Sequence, residues 1–105
     1  MQLAEPGANQ ILQEAERQCA IASQQWGVTF NSPSWAQDAQ GVYVILYARR
    51  DRGKYLSVRV SDEDLEDYPE EPAVQAQIRE DLRRGAEQVA QLAVQRSDDW
   101  LARRP

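Results

Sequence analysis

The sequence contains no histidine. This absence excludes Ser-His-Asp and Cys-His nucleophilic systems and most zinc sites, because each of them needs an imidazole as base or ligand. The single cysteine, Cys19, falls on the apolar stripe of a predicted helix, where we expect an inert buried thiol. The single lysine, Lys54, falls in a predicted exposed turn, where nothing would activate its amine as a nucleophile. The five glycines are scattered singly and form no phosphate-binding loop. We therefore predict a protein that is not an enzyme and that holds no cofactor or metal.

Long apolar runs are also missing. No run approaches the ~20 apolar residues of a membrane span, and the amino terminus lacks the charged and then apolar pattern of a secretory signal. One cysteine permits no internal disulfide, which is typical of a reducing compartment. We predict a soluble, cytoplasmic protein whose 105 residues form a single domain, with residues 1–8 as a loose lead-in.

Two runs have the composition of β-strands. The first, Val42–Ala48, is rich in β-branched and aromatic residues and is apolar on both faces, as in a strand covered on both sides. The second, Tyr55–Ser61, alternates apolar and polar residues, which predicts one buried and one wet face. Between them, Asp51–Gly53 suits a three-residue hairpin loop with glycine at positive φ. This loop would pair Ala48 with Leu56, Leu46 with Val58 and Val44 with Val60.

Helical spacing predicts a first helix before the strands. It would run from Asn9, as N-cap, to about Trp26, and Gly27 would close it in the left-handed conformation. The alternation in Val28–Phe30 predicts a short first strand directly afterwards. We expect Trp35 to fold over the sheet as a lid, or, if exposed, to serve as an anchor for a partner.

A second, long helix is predicted to begin at Pro72. An unbroken helix to Arg103 would be roughly 45 to 50 Å long, which is more than a domain of this size can cover. Three arrangements would resolve this: a bend at Gly85, a fresh helical turn in residues 97–105 capped by Ser97–Asp99, or packing of the distal end on another chain. The predicted order αβββα defines an α+β fold, in which a small antiparallel sheet with a central hairpin packs against an N-terminal and a long C-terminal helix.

The charge is distributed unevenly. The net charge is −5, yet the ten residues from 62 to 71 contain seven acids and no base. These acids are Asp62, Glu63, Asp64, Glu66, Asp67, Glu70 and Glu71. One interpretation is a solvated helix start capped by Ser61, since the helix dipole favours negative charge in a first turn. A calcium loop starting at Asp62 would need glycine at its sixth position and glutamate at its twelfth, where Asp67 and Ala73 stand, so we predict no such loop.

A second interpretation is that crowded carboxylates repel one another unless cations neutralise them. They would then imitate the phosphates of a nucleic acid and occupy a Lys/Arg-lined groove in a partner. The run Tyr55–Asp62, a strand giving way to an acidic turn, resembles small accessory proteins of phages and mobile elements, a group in which anti-CRISPR proteins are found. This resemblance implies a small inhibitor that blocks a nucleic-acid-handling complex by binding it.

The leading hypothesis is therefore a protein-binding inhibitor or regulator whose acidic segment docks on a basic, nucleic-acid-binding surface of a partner. Tyr68 and Trp35 would supply the buried contact. The alternative is a homodimeric structural or regulatory subunit that associates through the long C-terminal helix, with Val89, Leu92 and Trp100 at the seam.

A third hypothesis is direct nucleic-acid binding through the basic hairpin turn, although the net charge of −5 counts against direct binding to phosphates. The rings of Tyr47 and Tyr55 would then be stacking surfaces. The cations of the turn are Arg49, Arg50, Arg52 and Lys54. The αβββα order is similar to that of the double-stranded-RNA-binding fold, but here the last helix follows an acidic tract instead of a lysine cluster, which speaks against RNA binding by that fold's usual surface.

Overall fold

The chain folds as an α+β protein, which confirms the predicted fold class. The computed structural model describes residues 6–49 and 55–102, and it describes side chains as far as residue 95. The elements of these residues are α1 (Pro6–Trp26), β1 (Ser34–Asp38), β2 (Gly41–Leu46), β3 (Leu56–Val60), α2 (Asp62–Asp67) and α3 (Pro72–Ala102). The predicted order is confirmed, with the short helix α2 added before the long one. The start of the predicted lead-in and the predicted loop Asp51–Gly53 lie outside the described residues.

The sheet is antiparallel, in the order β1-β2-β3. The predicted hairpin is present, but its predicted register is wrong by two residues: Val44 pairs with Val58, and Leu46 pairs with Leu56. Because side chains alternate with a period of two, an even slip leaves the same residues on the buried face.

The first strand of the sheet is Ser34–Asp38. The prediction that Val28–Phe30 forms this strand is therefore wrong. Phe30 makes only an isolated antiparallel bridge to Ala48. Between this bridge and the pairing of Ser34 with Ile45, the three residues 31–33 lie opposite only two residues, Leu46 and Tyr47, of the neighbouring segment. The extra residue forms a bulge in the segment that contains Pro33. Proline is tolerated at a bulge because its missing N–H is not required for a hydrogen bond between strands there.

Trp35 lies in the middle of β1 and pairs with Val44. Its side chain is only 4% exposed and belongs to the main core. The prediction that Trp35 is a lid, or an exposed anchor for a partner, is therefore corrected: it is a core residue of an edge strand. Large aromatic rings bury enough apolar area to fix such a strand even when its other residues are polar.

Helix α1 begins at Pro6, three residues before the predicted start at Asn9, and ends at Trp26 as predicted. Gly27 has φ 67°, the left-handed conformation of a helix cap, and its N–H donates to the Ser23 carbonyl at 2.9 Å. Helix α1 packs along α3, and α3 lies on β2 and β3. The apolar stripes of both helices and the inner face of the sheet form one core.

Helix α3 is continuous over 31 residues, so the predicted fresh start at Ser97–Asp99 is wrong. At 1.5 Å per residue it is about 46 Å long. The radius of gyration is 14.8 Å, compared with about 13 Å for a compact chain of this length. The distal part of α3 therefore extends beyond the part that packs on the sheet. Gly85 does not interrupt the helix; it lies close to the sheet, where a Cβ would be 2.9 Å from Leu56 Cδ2.

Candidate binding surfaces

The acidic segment, residues 62–71, consists of α2 and the turn that follows it. The Ser61 hydroxyl accepts a hydrogen bond from the Asp64 N–H at 3.1 Å, which is the predicted N-cap. Leu65 and Tyr68 are buried on the inner side of α2, and the Tyr68 carbonyl accepts a hydrogen bond from Gln75 Nε2 at 2.7 Å. Helix α2 packs on α1, and the hydrogen bond from Gln75 ties its end to α3, while most of the acidic side chains remain exposed.

Most carboxylates of the acidic segment are exposed to solvent. Only Asp64 is half-buried, and the exposed ones are Asp62, Glu63, Glu66, Asp67, Glu70 and Glu71. No ion pair joins any of them to a cation among the side chains that the structure describes. The segment is thus a solvated, capped helix, as the first interpretation predicted, and its charges are also not neutralised by described arginines.

Paired acids lie elsewhere, on α1 and α3. Glu80 accepts from Arg83 Nη2 at 2.6 Å and from Arg84 Nε at 3.2 Å, while Arg83 Nη1 lies 2.8 Å from Glu87 Oε2. The hydrogen bond from Arg83 is the main cause that lowers the pKa of Glu80 to about 2. These pairs follow the i,i+3 and i,i+4 spacing of one helix face, and they include the pair of Glu80 with Arg84.

Tyr68 does not provide the exposed aromatic contact that was expected beside the acidic segment, because it is 6% exposed. Its pKa is raised, mainly by burial and then by the nearby negative charge of Glu14. Both aromatic anchors of the leading hypothesis, Tyr68 and Trp35, therefore belong to the core. The acidic surface offers charge without a large apolar contact from either of them.

A buried polar cluster joins α1 and α3, and sequence reasoning missed it. Glu14 is 4% exposed and lies 2.8 Å from Arg79 Nε and 3.3 Å from Arg17 Nη1. Gln18, also buried, donates to Glu14 over 3.5 Å. The hydrogen bond to Glu14, with its charge, raises the pKa of Arg79. The helical spacing of Glu14 and Gln18 from Ile11 could have indicated that both lie on the buried side of α1. Nothing in the sequence could have indicated Arg79 as the partner, because it lies sixty-five positions away from Glu14.

The outer face of the sheet, opposite the helices, carries a second surface. Tyr43, Ile45 and Tyr47 alternate with the buried side chains of the central strand, and they are half-buried without belonging to the core. In the described residues β2 is thus covered by helices on one face only, and the expectation of a strand covered on both sides is corrected. At the end nearest the β2–β3 connection lies an open hollow of about 450 Å³. It is lined by Asn31, Ser34, Ile45, Tyr47 and Tyr55.

Of the basic turn, only Arg49 is described, and it is exposed. Its N–H donates to the Thr29 carbonyl at 2.8 Å, and Asn31 N–H donates to the Tyr47 carbonyl at 3.1 Å, so the chain remains extended beyond β2. Arg50, Arg52 and Lys54 lie outside the described residues.

The proposed dimer seam is divided between core and surface. Val89 is buried and Leu92 is 46% exposed, while the side chain of Trp100 is outside the described part. Ile21 and Trp26, near the end of α1, are 43% and 36% exposed. Gly7, at the start of α1, lies close to Pro69, just before α3, and Glu14 contacts Arg79 farther along. These two contacts indicate that α1 and α3 run in the same direction, so the exposed apolar side chains lie towards the same end of the molecule.

Other chemistry has little support in the described residues. Cys19 is buried, and burial, with a smaller contribution from Glu16, raises the pKa of its thiol to about 12. In residues 6–49 and 55–102, no group of three or more Cys, Asp or Glu side chains converges as a metal site would require. None of the described helices combines the length and the apolar character needed to cross a membrane.

The chain matches no protein-family model, no curated protein and no solved structure. Its function therefore has to be argued from its own surfaces.

Proposed function

We propose that the protein is a non-enzymatic inhibitor or regulator that binds a basic, nucleic-acid-binding surface of a partner through the acidic segment, residues 62–71. The observation that carries the proposal is that six of the seven carboxylates are exposed and that none is ion-paired among the described side chains. The proposed class is that of small inhibitors that bind nucleic-acid-handling complexes, as found among the anti-CRISPR proteins of phages and mobile elements.

The position of the acidic segment supports docking as a preformed unit. The cap at Ser61 and the buried side chains of Leu65 and Tyr68 hold α2 in place before any partner arrives. A preordered surface loses less conformational entropy on binding than a flexible acidic tail would. A basic groove that binds it releases counterions, as it does when it binds the phosphates of DNA.

The burial of Trp35 and Tyr68 changes the expected character of the complex. Without a large aromatic anchor from either residue, the binding is mainly electrostatic, so it forms rapidly and weakens as salt screens the charges. DNA should compete for the same partner surface, because both ligands present closely spaced negative charge.

The test uses the heparin-retained fraction of a bacterial lysate as a source of basic, nucleic-acid-binding proteins. The immobilised protein should capture one or more of them at 100 mM salt, and a DNA duplex should release them. The test variant carries Glu66→Gln, Asp67→Asn and Glu70→Gln. The control variant carries Glu16→Gln, Asp81→Asn and Glu87→Gln.

Both variants change the net charge equally. They differ in the position of the changed charges, and the control also removes the ion pair of Glu87 with Arg83. We expect the test variant to lose capture about tenfold, since each exposed ion pair contributes up to about 1 kcal/mol. The control variant should capture as the unmodified chain does. Equal capture by the two variants would show that the acidic segment is merely solvated surface.

A homodimeric subunit is the second candidate, and the continuity of α3 favours it. The helix extends beyond the part that packs on the sheet, and Leu92 is exposed near that point. Sedimentation should then give a species of twice the chain mass of 12.0 kDa, which Leu92→Lys returns to monomer and the neighbouring exchange Gln88→Lys leaves intact. A monomer at every concentration of the unmodified chain eliminates this candidate.

A further inference from the structure

The hollow on the outer face is open to solvent. Ile45, Tyr47 and Ser34, a small residue that pairs with Ile45, are among the residues that line it. Continuing the register of β2 and β3 by one position places Tyr55 opposite Tyr47. Two tyrosine rings therefore flank one end of the hollow, next to the connection between the two strands.

The lining is mixed in a way that suits a flat ring with polar edges. Tyr55 is 64% exposed, and Tyr47 is half-buried, so their rings are accessible to a ligand. Every nucleobase has a π-face that can stack on such a ring. The Asn31 amide and the Ser34 hydroxyl both donate and accept hydrogen bonds, and they lie within the same hollow.

The local charge favours a polyanion at this end of the molecule. Residues 49–59 contain five bases and one acid, a net charge of +4, while the rest of the chain carries −9. Arg49 is exposed and lies two residues after Tyr47, in the turn that follows the bridge at Ala48. The cations are therefore concentrated in sequence around the two tyrosines.

The acidic segment is too distant to cancel this attraction at moderate salt. Tyr55 and Asp62 lie at opposite ends of β3, roughly 20 Å apart at 3.3 Å per residue. The Debye length is about 8 Å at 0.15 M salt, so the acidic segment is screened from the hollow. The overall negative charge of the chain thus permits anion binding at this one end.

We propose that the outer-face hollow binds single-stranded nucleic acid, with one base stacked on the exposed ring of Tyr55 beside Tyr47 and the adjacent phosphate beside Arg49. A duplex does not fit this site, since its bases are already stacked and paired and their faces are inaccessible. The site is separate from the acidic segment, so the protein has two surfaces of opposite charge at the two ends of β3.

Fluorescence anisotropy with fluorescein-labelled 12-nucleotide oligomers of deoxythymidine and uridine tests the site at 100 mM salt. Tyr55→Ala should weaken binding about tenfold, whereas Tyr55→Phe, which keeps the stacking ring, should stay within about threefold. Ile21→Ala is the matched control for loss of an exposed apolar side chain, and it should have no effect. All variants should unfold at the temperature of the unmodified chain, because both positions are exposed.

Arg49→Gln should make the salt dependence of log Kd shallower by about 0.7, the value for one phosphate contact on a single strand. Arg84→Gln on α3 is its matched control and should leave the slope unchanged.

Equal affinity of Tyr55→Ala and the unmodified chain overturns the proposal. Tighter binding of a duplex than of a single strand also overturns it, as does a change from dimer to monomer with Tyr55→Ala in the absence of oligonucleotide binding, which would assign the face to a second copy of the chain.

Neutralising the acidic segment separates this inference from the function proposed above. The variant Glu66→Gln, Asp67→Asn and Glu70→Gln should bind the oligomers at least as tightly as the unmodified chain does, although it loses protein capture. Either proposal can therefore fail while the other stands.

Discussion

Glu14 of α1 is buried and accepts a hydrogen bond from Arg79 of α3 over 2.8 Å. This is the ion pair that joins two elements among the described side chains, since the others lie within α1 or within α3. It fixes the lateral position of the two helices against each other. Removing the partner of a buried carboxylate destabilises the fold, because the remaining charge cannot be hydrated without opening the core.

The first prediction concerns this pair. Arg79→Met keeps much of the aliphatic contact but leaves Glu14 buried with only the longer contacts to Arg17 and Gln18, so we expect the melting temperature to fall by about 5 °C or more. Glu14→Gln should be milder, since a neutral amide is easier to bury and can still accept from Arg79. Thermal unfolding followed by circular dichroism measures both. A smaller loss in Arg79→Met than in Glu14→Gln would contradict this account.

A second prediction concerns the close contact of α3 with the sheet at Gly85. A Cβ there would lie 2.9 Å from Leu56 Cδ2 and 3.0 Å from Leu46 Cδ1. Replacing a mid-helix glycine by alanine ordinarily gains about 1 kcal/mol, but overpacking of a filled core costs about 1–3 kcal/mol. We expect Gly85→Ala to lose about 1 kcal/mol in urea unfolding.

The half-buried Leu56 provides the control for this prediction. Shortening it in the double variant Gly85→Ala with Leu56→Val should recover part of the loss, because the clash is removed where the side chain can yield. A Gly85→Ala variant more stable than the unmodified chain would show that the helix stands farther from the sheet than 2.9 Å implies.

The sequence predicted the order of elements and the inner face of the hairpin, and the limits of that prediction have physical causes. Leu56, Val58 and Val60 can slide by two positions along β2 without exposing an apolar side chain, so periodicity alone could not set the register. Strand β1 escaped prediction because only Trp35 is buried among otherwise partly or fully exposed residues. An edge strand of this kind forms because it pairs with β2, and its own residues do not reveal that pairing.

The candidate sites show the same division between local and non-local information. The cap at Ser61 and the exposure of the acidic residues follow from local pattern, and both are observed. The burial of Tyr68 depends on how α2 docks on the rest of the molecule, and the hollow depends on the bulge and on the approach of two strands. Neither can be read from a single stretch of sequence.

A third prediction concerns the Trp35 indole. Its Nε1 is buried and has no hydrogen-bond partner among the described residues. An unsatisfied buried donor costs about 1–3 kcal/mol, so Trp35→Phe, which removes the donor and keeps most of the ring, should change stability by less than about 1 kcal/mol. Trp35→Ala should lose about 3–5 kcal/mol, because it empties the space that anchors β1. Equal losses in the two variants, measured by urea unfolding, would show that the indole N–H does have an acceptor.

The last prediction is a pH dependence that arises from Cys19. Burial raises the pKa of its thiol from 9.0 to about 12 in the folded protein. Between these values the folded chain holds a proton that the unfolded chain has released, so stability is complete below pH 9 and falls as the pH rises towards 12. By pH 10.5 this loss amounts to about 2 kcal/mol. Tyr68, whose pKa is also raised, adds to the loss only above its ordinary value of 10.0.

Urea unfolding at pH 8.0, 9.0, 9.75 and 10.5 should therefore show a decline that is much shallower in Cys19→Ala, because alanine has no proton to lose. The offset between the two chains at pH 8.0 reports the cavity left by the sulfur, and only the difference in slope reports the thiol. The same burial makes the thiolate scarce, so an alkylating reagent at pH 8.0 should label Cys19 only at the urea concentrations that unfold the chain. Parallel pH profiles for the two chains, or rapid labelling of the folded one, would place the thiol at the surface and contradict its assignment to the core.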